Sequence, residues 1–245
     1  MRGKSKSELS RFLVTRGAWL IIVEVVVIRM VIFFNFHYGV VLAFLQVIWV
    51  IGLSMIVLAA IIHLPRRVII VGSVGVMALH NLLDGIHGTS WKGPGTPTPG
   101  FGASLWKILH EQGVFFPFGF PGPSVTLLYP LIPWFAVMAA GYTLGAIYRL
   151  DGRERTRILY RLGWAITIGF VVIRAINLYG DPSRWTSQPT LTRTLLSFLA
   201  TSKYPPSLLY LMMTMGPALL FLGWFDDKRR GALSRILIVM GACRS

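Results

Sequence analysis

Apolar residues along this chain come in long blocks rather than in amphipathic stripes. Six blocks carry few charges: residues 12–34, 41–62, 68–83, 127–148, 158–178 and 206–225. Each is near the roughly 20 apolar residues that a helix needs to cross a bilayer. Short basic or Gly/Pro-rich segments separate them. The pattern predicts an all-α fold, a polytopic integral membrane helix bundle with about six transmembrane helices. The third block is short and holds Gly72 and Gly75. A brief hydrophobic stub, residues 236–240, precedes the end.

Composition agrees: 54% of the 245 residues are hydrophobic and 13% charged. A soluble domain carries about twice that charged fraction. The net charge of +15 would raise nucleic acid as a partner in a soluble chain. Here no basic stretch sits in a soluble module, so nucleic-acid binding is excluded and the bilayer is the expected partner. The basic residues alternate instead. Arg2, Lys4, Lys6, Arg11 and Arg16 begin the chain. Arg66 and Arg67, then Arg149, Arg153, Arg155, Arg157 and Arg161, then Lys228, Arg229, Arg230 and Arg235 occupy every second connection. The other connections hold Lys92, Lys107, Arg184, Arg193 and Lys203, five against sixteen. The positive-inside rule therefore puts the N-terminus in the cytoplasm. The N-terminus does not read as a cleavable signal peptide. The single cysteine, Cys243, allows no intrachain disulfide.

The longest connection, residues 84–126, is rich in Gly and Pro, as in Gly93-Pro94-Gly95 and Phe118-Gly119-Phe120-Pro121-Gly122-Pro123. Such a segment reads as a loop with many turns. Gly141 and Gly145 read as a small-xxx-small helix contact. Pro217 reads as a kink in the last span.

Ionisable residues inside the spans carry the chemical information, since each costs about 2.5–3.5 kcal/mol on insertion scales and so faces a bundle interior or a watery cavity. Glu24 and Arg29 lie in the first span; Arg174, with Asn177 three residues on, lies in the fifth. Two readings stand: interhelical ion pairs, or a cavity for an anionic or sugar-like ligand. At the outer end of the third span, His80 and Asp84 are four apart and share a helix face. An Asp that fixes a histidine tautomer is the arrangement of a general base. A hydrated helix end, or a metal site with His87 that lacks a fourth ligand, fits the same spacing. His37, His63 and His110 read as interfacial. Lys203 and Tyr204 sit at the outer mouth of the last span. All the outer polar residues are expected to converge on one cavity.

Several stretches together resemble a known family: Arg11-Phe12-Leu13 with Arg16-Gly17, His80-Asn81-Leu82-Leu83-Asp84, Leu128-Tyr129-Pro130-Leu131-Ile132-Pro133-Trp134-Phe135 through Gly141-Tyr142, Arg174-Ala175-Ile176-Asn177-Leu178-Tyr179-Gly180-Asp181-Pro182, and Thr201-Ser202-Lys203-Tyr204-Pro205-Pro206-Ser207-Leu208. They are similar to bacterial membrane proteins grouped with the heparan-alpha-glucosaminide N-acetyltransferase catalytic domain, over nearly the whole chain to about Met240. The resemblance implies a transmembrane acyltransferase of the bacterial inner membrane, with acetyl-CoA as donor and a saccharide or envelope acceptor. It implies no bound cofactor or metal. His80 and Asp84 are the candidate catalytic residues. Arg29, Arg174, Asn177, Lys203 and Tyr204 are the candidate substrate-binding residues. The other function class left open is a transporter whose intramembrane arginines line a substrate path.

Family members usually carry an upstream Asp-x-x-Arg-Gly segment, and the histidine proposed to carry the acetyl group lies there. They also continue with Gly-Arg-Val-Pro after the stub. Residues 1–240 are therefore expected to be a single, incomplete acyltransferase-like domain, inactive alone, and residues 241–245 an aberrant tail. Deleting one base from GGC CGC GTG CCG TTC T gives GGC GCG TGC CGT TCT, which encodes the observed Gly-Ala-Cys-Arg-Ser.

Overall fold

The structure, a computed structural model, describes residues 5–228. The stub at 236–240, the tail at 241–245 and Cys243 lie outside the described residues. The chain is mostly helical and falls into two compact units. The first runs to Thr143 and takes in Lys203–Pro206; the second comprises Leu144–Ser202 and the chain from Ser207 on.

In the first unit, α1 (Lys6–Val23) opens with a capping box in which Ser5 and Glu8 satisfy each other's backbone N–H. It continues without a break through a π-helical turn, Glu24–Ile28, into α2 (Arg29–Phe33). Strand β1 (Val41–Leu45) precedes α3 (Val47–Ile61), so the first five residues of the expected second span are not helical. A short apolar run does not distinguish strand from helix by periodicity. Tertiary pairing decides: β1 lies parallel to β3 (Ser124–Leu127), which lies antiparallel to β2 (Gly113–Phe115), in the order β1-β3-β2. Ala43, Leu45, Phe115, Val125 and Leu127 form a small buried cluster on this sheet.

Next comes α4 (Arg66–Leu79), which runs into a 3-10 turn, His80–Leu83. The loop expected at 84–126 contains α5 (Phe101–Leu109) besides two strands. The fourth expected span is cut short. Leu127 belongs to β3, and Pro130 and Pro133 lack the N–H and disfavour helix in the preceding residue. Only α6 (Trp134–Leu144) and a 3-10 turn, Gly145–Arg149, follow.

The second unit pairs α7 (Gly152–Ile176) with α9 (Leu208–Lys228) and adds α8 (Leu191–Leu199). Asp151 caps α7, and α9 runs through Pro217 without ending. The Arg155 guanidinium pairs with Asp226 at 2.7 Å. Among the described residues, three helical stretches are long and apolar enough to cross a membrane: Arg66–Leu83, Gly152–Ile176 and Leu208–Asp226. The α3 helix, Val47–Ile61, is apolar but shorter.

Glycines set the closest helix approaches, though not the pair expected. A Cβ on Gly17 of α1 would lie 2.5 Å from the Gly52 carbonyl of α3, and one on Gly216 would lie 2.4 Å from the Thr167 hydroxyl. Gly141 and Gly145 face open space, with nothing within 4 Å of an added Cβ. Small residues let backbones approach where hydrophobic driving force between helices is absent. Gly17→Leu is thus expected to lower stability in detergent by about 1–3 kcal/mol. Gly141→Leu is expected to change it by less than about 0.5 kcal/mol. Thermal melts of the two purified variants check this; equal losses would contradict it.

Candidate functional site

The buried charges of the first helix complete the backbone around them. Glu24 and Arg29, each 1% exposed, flank the π-helical turn. The Glu24 carboxylate accepts the Gln46 N–H at 2.9 Å and also the N–H groups of Ile48 and Trp49, so it caps α3. A negative group at a helix N-terminus complements the dipole there. Arg29 donates from Nε to the Val41 carbonyl (3.0 Å), from Nη1 to that of Asn35 (2.6 Å), and from Nη2 to that of His37. The Tyr38 ring covers its guanidinium at 4.1 Å.

Arg174 of the second unit is used the same way. Its donors reach the carbonyls of Phe198, Ser197 and Ala200 at the C-terminal end of α8, and that of Ser183. A cation at a helix C-terminus satisfies orphan carbonyls and the dipole together. Asn177 ends α7 in the left-handed conformation, and its amide exchanges two hydrogen bonds with the Trp185 backbone. Asp181 accepts from the Ser202 N–H (2.7 Å) and the Ser207 hydroxyl (2.7 Å), tying down the start of α9. These donors therefore end on the protein's own loops. Among the described residues, neither arginine has the carboxylate partner that an interhelical ion pair needs.

Around Asp84 the polar groups do converge, but with a different partner from the one the spacing implied. His80 turns away: its Nδ1 lies 2.9 Å from the Met77 carbonyl and its Nε2 3.0 Å from that of Pro206. Both ring nitrogens thus face backbone carbonyls and neither faces Asp84. Asp84 instead meets His110, the residue that ends α5, with Oδ1 3.2 Å from Nε2. Its Oδ2 accepts from the Asn81 amide at 2.7 Å. His110, assigned to the interface from sequence, is 2% exposed. Its Nδ1 is buried with no hydrogen-bond partner. The Trp106 ring lies 5.2 Å from the imidazole and the His80 ring 6.3 Å from it.

Burial pushes the Asp84 carboxyl up. The hydrogen bonds from His110 and Asn81, with the positive potential of His110 and His80, outweigh it and leave the group below its ordinary value. A second cluster adjoins along the same helix. Buried Lys107 donates to the Ser90 hydroxyl (2.9 Å) and lies 3.5 Å from Glu111, which also takes His87 at 2.8 Å. His87 is thereby drawn away from Asp84. Among the described residues, no group of three His, Cys, Asp or Glu is placed to hold a metal.

Lys203 and Tyr204 form the last polar feature of the first unit. The Tyr129 hydroxyl donates to that of Tyr204 at 3.1 Å, and the Lys203 ammonium lies 5.0 Å from the Tyr204 ring. Accepting the Tyr129 proton, with Lys203 beside it, holds the Tyr204 phenol below its ordinary pKa.

A mostly helical protein with apolar helices of membrane-crossing length and a partly buried Asp–His pair between α4 and α5 is thus defined. Residues 2–179 match the family profile described as heparan-alpha-glucosaminide N-acetyltransferase, catalytic. The chain belongs to this family, which is membrane-associated and acetyltransferase-like. The match takes in Asp84, His110, Arg29, Arg174 and Asn177 and ends before Lys203 and Tyr204. It is shorter than the resemblance read to Met240. No curated protein and no solved structure matches the chain.

Because the Asp84 carboxyl is depressed in the folded state, its stabilising contribution is present above about pH 4 and lost as pH falls through the lower folded value. Asp84→Asn is therefore expected to be less stable than the parent at pH 6, by under about 1 kcal/mol given its partial exposure. The two should converge as pH drops below the folded value. Acid-unfolding curves in detergent check this; a gap that widens toward low pH would contradict it.

Proposed function

In place of the expectation that residues 1–240 are inactive alone, we propose that this chain is a six-span inner-membrane acetyltransferase, N-terminus cytoplasmic, that moves an acetyl group originating from acetyl-CoA onto a saccharide or envelope acceptor. The observation that carries the reading is the His110 imidazole. Its Nε2 is held by Asp84, and its Nδ1 is left as a buried, unpaired acceptor. A carboxylate that fixes one ring nitrogen and leaves the other to take a proton is the geometry of a general base. In the proposed step, His110 Nδ1 takes a proton from the acceptor's amine or hydroxyl. The freed lone pair attacks the acetyl carbonyl, and the bond from that carbon to the donor breaks with its electrons leaving on the donor. The charge pattern puts the pair at the outer face, so it serves the acceptor side of the transfer. His80 acts as a positioning residue, fixing the 203–206 segment through Pro206. Lys203 and Tyr204 then bind the acceptor.

A transporter with arginine-lined passage is the second class. It needs guanidinium donors turned to a solute, whereas those of Arg29 and Arg174 end on backbone carbonyls. That geometry favours the transferase.

Two measurements test the proposal. Membranes bearing the chain, given radiolabelled acetyl-CoA and an amino sugar, are expected to form acetylated sugar, and His110→Ala to lower the rate by about a hundred-fold or more. Unchanged rates in that variant would remove the base from the mechanism; solute uptake without acetyl transfer would favour the transporter. For topology, single cysteines at Thr98 and Arg155 in a Cys243→Ser background are expected to be labelled from opposite sides. Labelling of both from one side would overturn the six-span arrangement.

A further inference from the structure

The α8 helix of the second unit is amphipathic, but its faces are turned the opposite way from those of a helix in water. Leu191, Leu195 and Leu199 are spaced four apart and stack along one face, with Leu196 beside them. Thr194 and Ser197 lie on the other face, and that is the face held by the protein. The Ser197 hydroxyl accepts the Thr186 N–H at 3.0 Å, and the Thr194 hydroxyl accepts that of Gln188 at 2.9 Å. Phe198, at the edge, packs against Trp185 and Phe170, with ring centroids 5.6 and 6.0 Å away. Arg174 then grips the last turn through the carbonyls of Ser197, Phe198 and Ala200. The four leucines are left pointing outward, between 50% and 76% exposed.

A surface helix in water turns its apolar stripe to the core and its polar face outward. These attachments prevent α8 from rolling over to do so, because turning the leucines inward would break both hydroxyl contacts and the Phe198 packing. An apolar stripe fixed outward matches an apolar surrounding. Two observations identify it as lipid. First, Arg174 ties α8 to the C-terminal end of α7, a helix long and apolar enough to cross a membrane, whose Val171, Val172 and Ile176 are exposed near that same end. Second, the flanking side chains are those of a lipid–water boundary: Arg184 and Arg193 are exposed, and the Trp185 indole donates to the Arg174 carbonyl at 2.8 Å. Nine helical residues span only about 14 Å, so α8 is too short to cross.

We infer that α8 is an interfacial helix that lies on the bilayer, with Leu191, Leu195, Leu196 and Leu199 among the acyl chains of the leaflet that α7 reaches at its C-terminal end. Arg193, on the polar side, faces headgroups and water. The four Arg174 hydrogen bonds are then the joint between a crossing helix and one that rests on the surface. The inference concerns where the chain meets the membrane, and it stands whether or not the chain transfers acetyl groups.

The test uses the purified full chain in a Cys243→Ser background, with one cysteine introduced as Leu195→Cys, Leu199→Cys or Arg193→Cys and labelled with an environment-sensitive fluorophore. Monodisperse elution of each labelled protein is the check on folding before it enters phosphatidylcholine vesicles. Two quenchers are compared: phosphatidylcholine brominated on its acyl chains, and iodide present on both sides of the membrane. The brominated lipid is expected to quench the labels at 195 and 199 about two-fold or more as strongly as the label at 193, and iodide to show the reverse order. Equal iodide quenching at all three positions, with no effect of brominated lipid, would place α8 in water and overturn the inference. Protection of 195 and 199 from both quenchers would mean that a second copy of the chain or another protein covers the leucines, and would overturn it as well.

Discussion

Inside a bilayer there is no water to satisfy a backbone N–H or C=O, so every turn at membrane depth must bring its own partners. Any backbone group buried in protein faces the same demand, and the buried charges of this chain meet it. Glu24 supplies the acceptor for the first N–H groups of α3. Arg29 supplies donors for the carbonyls of the turn at 35–41. Arg174 does the same for the end of α8. The guanidinium fork offers five donors in a fixed plane and stays charged, which suits a cluster of diverging carbonyls better than a lysine does. Short strands, a π-helical turn and a nine-residue helix are thereby tolerated beside helices long and apolar enough to cross a membrane.

Close helix approach is the second condition. Gly17 against Gly52 in one unit, and Gly216 against Thr167 in the other, remove the Cβ atoms that would hold the backbones apart. The α1–α3 contact also fixes where Glu24 lies relative to Gln46. Packing of small residues and placement of the buried charge are therefore one arrangement in the first unit, not two.

Chemistry appears where these structural demands are already met. His80 turns both of its nitrogens to backbone carbonyls, while His110 meets Asp84 through Nε2 and keeps Nδ1 unpaired. The 128–134 segment braces the pair, since its backbone clamps the last turn of α5.

The sequence by itself determined the helical, membrane-type character, because composition and block length respond directly to the bilayer as solvent. It also determined the family, through short motifs that lie mostly inside the matched segment. It identified Asp84 as a residue with a partner but chose His80, since four-residue spacing sees only neighbours on one helix. The true partner, His110, is 26 positions away, across a Gly/Pro-rich stretch that periodicity reads as loop. Strand β1 was hidden for the same reason: its ladder is completed by residues 124–127, far along the chain. Lys107, Glu111 and Asp181 carried no local signal that separates a structural ion from a solvated one. Their roles come from which backbone groups the folded chain leaves unpaired, and only the tertiary structure decides that.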